Sequence, residues 1–457
     1  MRPRTAAALT TVLPCLLALA WLAAAQQPQP PAVPQPSAEQ PKSVTITLDR
    51  GGAQRKIKLA MPAFRGPGQL TGEAGSSGRE IEETVRRDLD ISGYFEIQGP
   101  DALSGLNLTG DVTKDLAAYR STGNEVLLLG DVKAEGDKIV LEGRVLDLGS
   151  GQAVLAKRYR GPFPVSRRMA HTFADEVIRF LVGKPGIALS QIAFTSDRAG
   201  GGSKEIYVMD YDGAGQRKIT SHHSTSMSPA WSPNGESLAY TSFFNGPPSI
   251  YVAEVGSGRK KPVVTSGSFN ISPSFAPDGR RIAFARSLEG NVEVFTTDVD
   301  GGNLRRLTNS SGIDTNPSWS PKGGEIAFTS SRAGNPEIYL MDSEGANQRR
   351  ISMEGSYNDG AAWSPDGDLL AYTSRRDGQF QIVVTNVVTL ESRVVTSGPG
   401  ENQSPSFSPD GRKIAFTSRR DGRSQIYVVD LDGGNLRQLT TEGSNDLADW
   451  SRSVPDK

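Results

Sequence analysis

FSPDGRKIAFTSRRDGRSQIYVVDLDGGNLRQLT, residues 407–440, reads as four short strands in succession. Phe407-Ser-Pro-Asp-Gly411 is a strand end followed by a tight turn. Lys413 to Thr417 is a second strand, Arg419 to Arg423 a polar turn, and Gln425 to Val429 a third strand. Asp430 to Gly434 is a hairpin turn, and Leu436 to Thr440 is the outer strand. Asn-Gly or Asp-Gly pairs at 234–235, 278–279, 366–367 and 410–411 supply the positive φ that such turns need.

The unit repeats. Trp231, Phe275, Trp319, Trp363 and Phe407, each followed by Ser-Pro or Ala-Pro, stand 44 residues apart, and Trp450-Ser follows 43 residues later. A period of this length with four strands per unit predicts a β-propeller. The second strand recurs at Ile192-Ala-Phe, Leu238-Ala-Tyr, Ile282-Ala-Phe, Ile326-Ala-Phe, Leu370-Ala-Tyr and Ile414-Ala-Phe, which makes six blades. The first copy lacks an aromatic strand of its own. Leu447 to Ser451 is therefore expected to close the ring beside Gln191 to Thr195, removing the free sheet edges. One aromatic per unit is expected to fill each blade-to-blade seam.

The expected organisation is a signal peptide over 1–25, a Pro/Gln-rich disordered linker over 26–42, an α/β domain over 43–183 and the propeller over 187–457. Arg2 and Arg4 precede a mostly apolar run from Ala6 to Ala24, and Ala23-Ala24-Ala25 offers a cleavage site. Pro14 argues against a retained membrane anchor and, standing before Cys15, against a lipoprotein signal. Cys15 is the only cysteine, so the cleaved chain holds no disulfide or thiolate site. Removing Arg2 and Arg4 from 50 basic residues leaves 48 against 51 acidic ones, a net charge of −3. No basic stripe points to nucleic acid.

In the α/β segment, Val44 to Leu48 and Ile57 to Phe64 read as strands. Ile81, Val85 and Leu89 mark a helix over Arg79 to Ile91, and Tyr94 to Ile97 follows as a strand. Val126 to Gly130, Lys138 to Asp147 and Ala153 to Tyr159 read as strands. Met169, Phe173, Val177 and Phe180 mark a second helix ending near Gly183.

No catalytic set stands out. Some propellers carry serine peptidase domains, but no G-x-S-x-G elbow occurs here. His171 lies on a helix beside its apolar stripe and reads as structural. His222-His223, in a loop without a carboxylate cluster, is a weak zinc signal. The Asp-x-Asp-Gly runs at Asp210 to Gly213, Asp298 to Gly301 and Asp430 to Gly433 read as hairpin turns, since they lack the later ligands of a calcium loop. Five residues before each repeat aromatic stand Ser226, Asn270, Asp314, Asn358, Asn402 and Asn445. This ring reads either as repeated Asx-type caps or as a polar rim of the central channel on one face.

With these motifs in place, the chain resembles the TolB family, periplasmic proteins of the Tol-Pal envelope system of Gram-negative bacteria. The repeat (W-S-P-D-G, I-A-F-T-S, I-Y-V-M-D-x-D-G, R-x-L-T) is shared with other propellers. The order of signal peptide, α/β domain and six blades narrows it. So do Val44 to Phe64 ending Ala-Met-Pro-Ala-Phe64, the Ile81 to Gln98 segment, and Ala170-His171-Thr172 with Asp175-Glu176-Val177. The resemblance implies a non-enzymatic, cofactor-free, monomeric hub that neither enters the membrane nor binds nucleic acid. It implies that one propeller face binds the lipoprotein Pal, here through Phe269, Asn270, Ile271, Ser272, Asp314, Thr315, Asn358 and Asn402. It also implies that an N-terminal segment, Val44, Thr45, Ile46, Thr47 and Leu48, contacts TolA, with other outer-membrane proteins as further partners. The family role is outer-membrane integrity and envelope constriction during division. This chain departs from the family in its long Pro/Gln tether and in carrying Phe269 where a His is familiar. The alternative is a periplasmic propeller that binds a small molecule, carbohydrate or cation in its channel.

Overall fold

The computed structural model describes residues 55–452. The expected signal peptide, the tether and the Val44 to Leu48 strand lie outside the described residues.

The first part is a five-stranded sheet with two longer helices packed on one face and two shorter ones on the other. Strands β1 (Ile57–Ala60), β2 (Phe95–Gln98), β3 (Val126–Glu135), β4 (Lys138–Asp147) and β5 (Ala153–Pro162) run in the order β2-β1-β3-β4-β5. β1 pairs parallel with β2 and β3, and β3 to β5 form an antiparallel meander. Helix α1 (Gly72–Ser92) buries Ile81, Val85 and Leu89. The short α2 (Pro100–Leu103) and α3 (Val112–Ser121) follow β2, and α4 (Ser166–Val182) buries Phe173 and Val177 in the same core. A Cβ on Gly143 of β4 would lie 2.2 Å from Phe173 Cζ, so the ring comes this close to the sheet only because that residue is glycine.

Several expectations need correction. The Ile57 to Phe64 strand stops at Ala60, because Pro62 offers no N–H to a ladder. α1 starts seven residues before Arg79. α3 was not anticipated. Phe180 does not belong to the buried stripe of α4: it is 36% exposed, and Ile178 and Leu181 are buried instead.

The second part is six antiparallel four-stranded sheets. Their inner strands are Asn445–Trp450 for blade 1, Ser226–Trp231 for blade 2, Asn270–Phe275, Asp314–Trp319, Asn358–Trp363 and Asn402–Phe407. Ring closure takes place as the repeat count requires: Asn445 pairs with Ser196 and Trp450 with Ile192. Each aromatic packs on the preceding blade. Trp231 meets Ala193, Ile206 and Val208, Trp363 meets Ile338 and Leu340, and Trp450 meets Ile426 and Val428. Burying one such side chain contributes roughly 1.5–3 kcal/mol.

Strand register defines two faces. The start of each inner strand pairs with the end of the second, which turns into the start of the third: Ser226 with Ser242, and Ser242 with Ser249. These ends and their loops form the free face. The α/β part docks on the opposite face. Arg87 and Arg167 reach Asp212 at 3.1 and 2.6 Å, and Arg437 reaches Asp90 at 2.7 Å. Arg412 donates to the Ser92 carbonyl and lies over the Tyr94 ring. Among the described residues no helix is long and apolar enough to cross a membrane.

Candidate functional site

The repeat ring lies at the free face, but its side chains are inside the protein. Ser226, Asn270, Asp314, Asn358, Asn402 and Asn445 are all fully buried. Asn270 Nδ2 donates to the carbonyls of Ser266 and Pro248 at 3.1 and 3.3 Å. Asn358 donates to Glu337, Asn402 to Gln381 and Asn445 to Gln425, each across a seam. The ring is a buried girdle, four of whose six members, Asn270, Asn358, Asn402 and Asn445, bond to the preceding blade, and not an exposed rim. Asn270, Asp314, Asn358 and Asn402 therefore have no surface to offer a partner, and they act by fixing the loops above them. Of the residues singled out in the sequence, Phe269, Ile271, Ser272 and Thr315 keep partly exposed side chains on this face.

Arginines brace the girdle. Arg198, Arg332 and Arg420 lie over Tyr207, Tyr339 and Tyr427 at 4.8–4.9 Å and donate to Asn445, Asp314 and Asn402. Blade 2 breaks this pattern. Phe243-Phe244 replaces the arginine, and His222 packs on Phe244 at 4.7 Å with its Nε2 3.0 Å from the Tyr240 hydroxyl. Burial in this aromatic nest pushes the His222 pKa down. Phe244 and Ile313 are each about half exposed, at 51% and 53%, on the free face. The sequence reading missed both. The signal was available: Thr241-Ser-Phe-Phe244 stands where four of the other five repeats read Thr-Ser-x-Arg.

A cavity of about 370 Å³ runs along the axis, lined by the six repeat aromatics and by Asp359 and Asp449. Asp359 Oδ1 accepts from Asn316 and Thr329 at 2.7 and 2.8 Å. Asp449 Oδ2 accepts from the Trp231 N–H at 2.7 Å, and Ser406 donates to Oδ1 at 3.2 Å. Burial raises Asp449 to about 6 against the pull of those donors. Among the described residues no three His, Cys, Asp or Glu side chains are gathered as a metal cage.

His171 sits at the docked face. Its Nδ1 is 2.7 Å from Asp88 Oδ2, and Tyr211 donates to the other Asp88 oxygen at 2.9 Å. Burial alone would lower the histidine, but the Asp210 carboxylate, 3.9 Å from Nε2, and the hydrogen-bonded Asp88 carboxylate lift it to about 9. Arg167 bridges Asp210 and Asp212 alongside. His171 is thus one member of a polar network joining α4 to the first blade.

Fold and site define a six-bladed propeller with an N-terminal α/β domain on one face and a free, partly apolar loop face on the other. The TolB beta propeller domain model matches residues 179–403 and 361–453, and the TolB amino-terminal domain model matches residues 44–154. The chain belongs to the TolB family. A TolB homolog of Chlorobium chlorochromatii is 37% identical over 205 residues, covering 45% of each chain. A Tol-Pal system protein TolB of Desulfosudis oleivorans is 37% identical over 201 residues, covering 42% of this chain and 44% of the relative. The matched stretches thus span less than half the length of these relatives. The crystal structure of TolB from Acinetobacter baumannii superposes with a TM-score of 0.74 at 25% identity, over 87% of this chain and 97% of that one.

Proposed function

We propose that this chain is a non-enzymatic periplasmic hub of a Tol-Pal system. Its free propeller face binds Pal, and its N-terminal segment, Val44 to Leu48, contacts TolA, in support of outer-membrane integrity and envelope constriction during division. The observation that carries the reading is the asymmetry of the propeller. One face is covered by the α/β domain. The other presents Phe244, Phe269 and Ile313 on loops, and Ile271 at the start of an inner strand, over a rigid buried girdle. Exposed apolar side chains on loops over a rigid scaffold are the usual anchors of a protein interface. The system-level assignment rests on relatives named as Tol-Pal system proteins.

The test is calorimetric titration of residues 26–457 with the soluble domain of Pal from the same organism. Alongside it runs an Ile313→Asp, Thr315→Ala variant, which leaves the buried girdle intact. The expected result is saturable binding, weakened about tenfold or more in the variant, as for the loss of a central contact. No binding by the folded wild-type chain would sink the proposal. The axial cavity with Asp359 and Asp449 favours a second reading, a small polar ligand or cation in the channel. Under that reading the chain is stabilised by such a ligand in the absence of any protein partner.

A further inference from the structure

Each inner strand opens on a buried polar residue, and three of these reach a side chain near the start of the preceding blade's third strand. Three seams pair in the same way. Asn358 Nδ2 donates to Glu337 Oε2 at 2.7 Å, Asn402 Nδ2 to Gln381 Oε1 at 2.9 Å, and Asn445 Nδ2 to Gln425 Oε1 at 2.7 Å. The same acceptor oxygen also takes a hydroxyl in each case: Ser352 on Glu337, Thr396 on Gln381 and Thr440 on Gln425.

The seam between blades 3 and 4 keeps the acceptor side of this arrangement. Thr308 Oγ1 donates to Glu293 Oε2 at 2.6 Å, and Arg306 Nη2 to Glu293 Oε1 at 2.8 Å. But the donor position is Asp314, and an ionised aspartate has no hydrogen to give. Its Oδ2 is held by Arg332 Nη2 at 2.8 Å and Ser310 Oγ at 3.3 Å. Its Oδ1 is buried without a hydrogen-bond partner. Both Asp314 and Glu293 are fully buried.

We propose that Asp314 carries a proton on Oδ1 and donates it to Glu293 Oε2, making this seam a proton-dependent clasp beneath the loop from Ser310 to Thr315. The proton stands in for the amide hydrogen of the other seams. The charged groups facing the pair are Arg306 from the outer strand of blade 3 and Arg332 from the second strand of blade 4. Arg306 engages Glu293 Oε1 and Arg332 engages Asp314 Oδ2; Asp314 Oδ1 is left without a partner, and Glu293 Oε2, which takes the Thr308 hydroxyl, is the atom whose counterpart in Glu337 also takes the amide hydrogen of Asn358. Thr308, Ser310, Ser330 and Asn291 complete the surroundings as neutral groups. Burial raises the Asp314 pKa, Ser330 and Arg332 oppose the rise, and the Glu293 charge adds to it.

The clasp holds the loop. Ser310 N–H donates to Glu293 Oε1 at 3.1 Å, and Asn291, beside it, donates to the carbonyls of Ser310 and Gly312. Ile313, half exposed, rides on this loop. The pKa of Asp314 is raised in the closed state, so the clasp is complete at low pH. It loosens as pH rises through that value and two like charges are left facing each other. The consequence for Pal rests on the proposed function; the clasp itself does not.

The experiment is hydrogen exchange on the partner-free chain between about pH 4, near the ordinary aspartate value, and about pH 8.5, corrected for intrinsic exchange. Wild type is compared with Asp314→Asn and, independently, Glu293→Gln, each of which supplies a permanent amide donor. In wild type, protection of residues 309–315 is expected to fall with rising pH, by about tenfold per unit of pKa difference between closed and open loop. Both variants are expected to stay protected throughout. Flat protection in wild type, or the same pH dependence in either folded variant, overturns the clasp. Pal titration at both ends of the range separates the two claims. If the loop titrates while Pal affinity stays constant, the clasp stands and the loop's part in the partner face falls.

Discussion

At position 449 the chain places a carboxylate where the other inner strands carry Ala230, Ser274, Ser318, Ala362 and Ser406. Asp449 lies in the closing strand and takes the Trp231 N–H through its side chain, while its carbonyl takes Trp231 Nε1 at 3.1 Å. It thus joins the closing strand to the second blade. Its folded pKa of about 6 lies above the ordinary 3.8, because burial penalises the charged form more than its donors favour it. A raised carboxylate contributes stability that is fully present below the unfolded value and is lost as pH rises through about 6. Two pKa units correspond to about 3 kcal/mol at most, reduced here because the carboxyl borders the cavity. Asp449→Asn keeps the acceptor for Trp231 and removes the charge. Its urea midpoint is expected to exceed that of wild type at about pH 7.5 and to match it near pH 4. A variant less stable than wild type at both values would show that the ionised carboxylate is the favoured form.

Among the elements, the seams carry the stability, and they are not equal. Trp363 is 7% exposed between Ile338, Leu340 and its own Leu370, whereas Phe275 is only partly buried. Trp363→Ala is expected to cost about 3–5 kcal/mol in urea unfolding and Phe275→Ala clearly less. Equal losses would mean that the seam aromatics act through something other than burial. The 44-residue spacing made these seams, the blade number and the closing strand legible, because stacked blades demand one filler per unit. The burial of the girdle was not legible. Each inner strand carries a bulge, with Ser272 at φ 54° and a register shift between Ile271 and Ser274. The bulge breaks strict alternation, so counting by twos from the aromatic cannot tell which side Asn270 faces. α3 was missed because Val112–Ser121 buries little apolar surface; its signal was the Asp111 cap, which accepts from Thr113 N–H at 3.0 Å. The early turns of α1 were missed because Gly72, Gly75 and Gly78 are poor helix formers. Gly75 is required there, since a Cβ would lie 2.5 Å from the Leu70 carbonyl oxygen.

On the scale of the whole molecule, the α/β domain and the propeller are joined by charge as much as by apolar contact. Asp212 has no exposed side-chain surface and is held by Arg167 and Arg87. Ile91 packs beside the Trp450 cluster. His171 lies in the same interface, with a folded value of about 9 against an ordinary 6.5. A histidine raised in this way contributes stability that is fully present below about 6.5 and is lost as pH rises through about 9. The two domains should therefore unfold together near neutrality and part company in base. Scanning calorimetry is expected to give one transition at about pH 7 and a broadened or split one above about pH 9. Arg167→Ala, which strips Asp212 of its main counter-ion, should lower the neutral transition by the equivalent of about 3–5 kcal/mol and separate the domains without alkali. A single sharp transition in the variant and at high pH alike would show that the apolar contacts suffice, and that the polar network orients the domains without holding them.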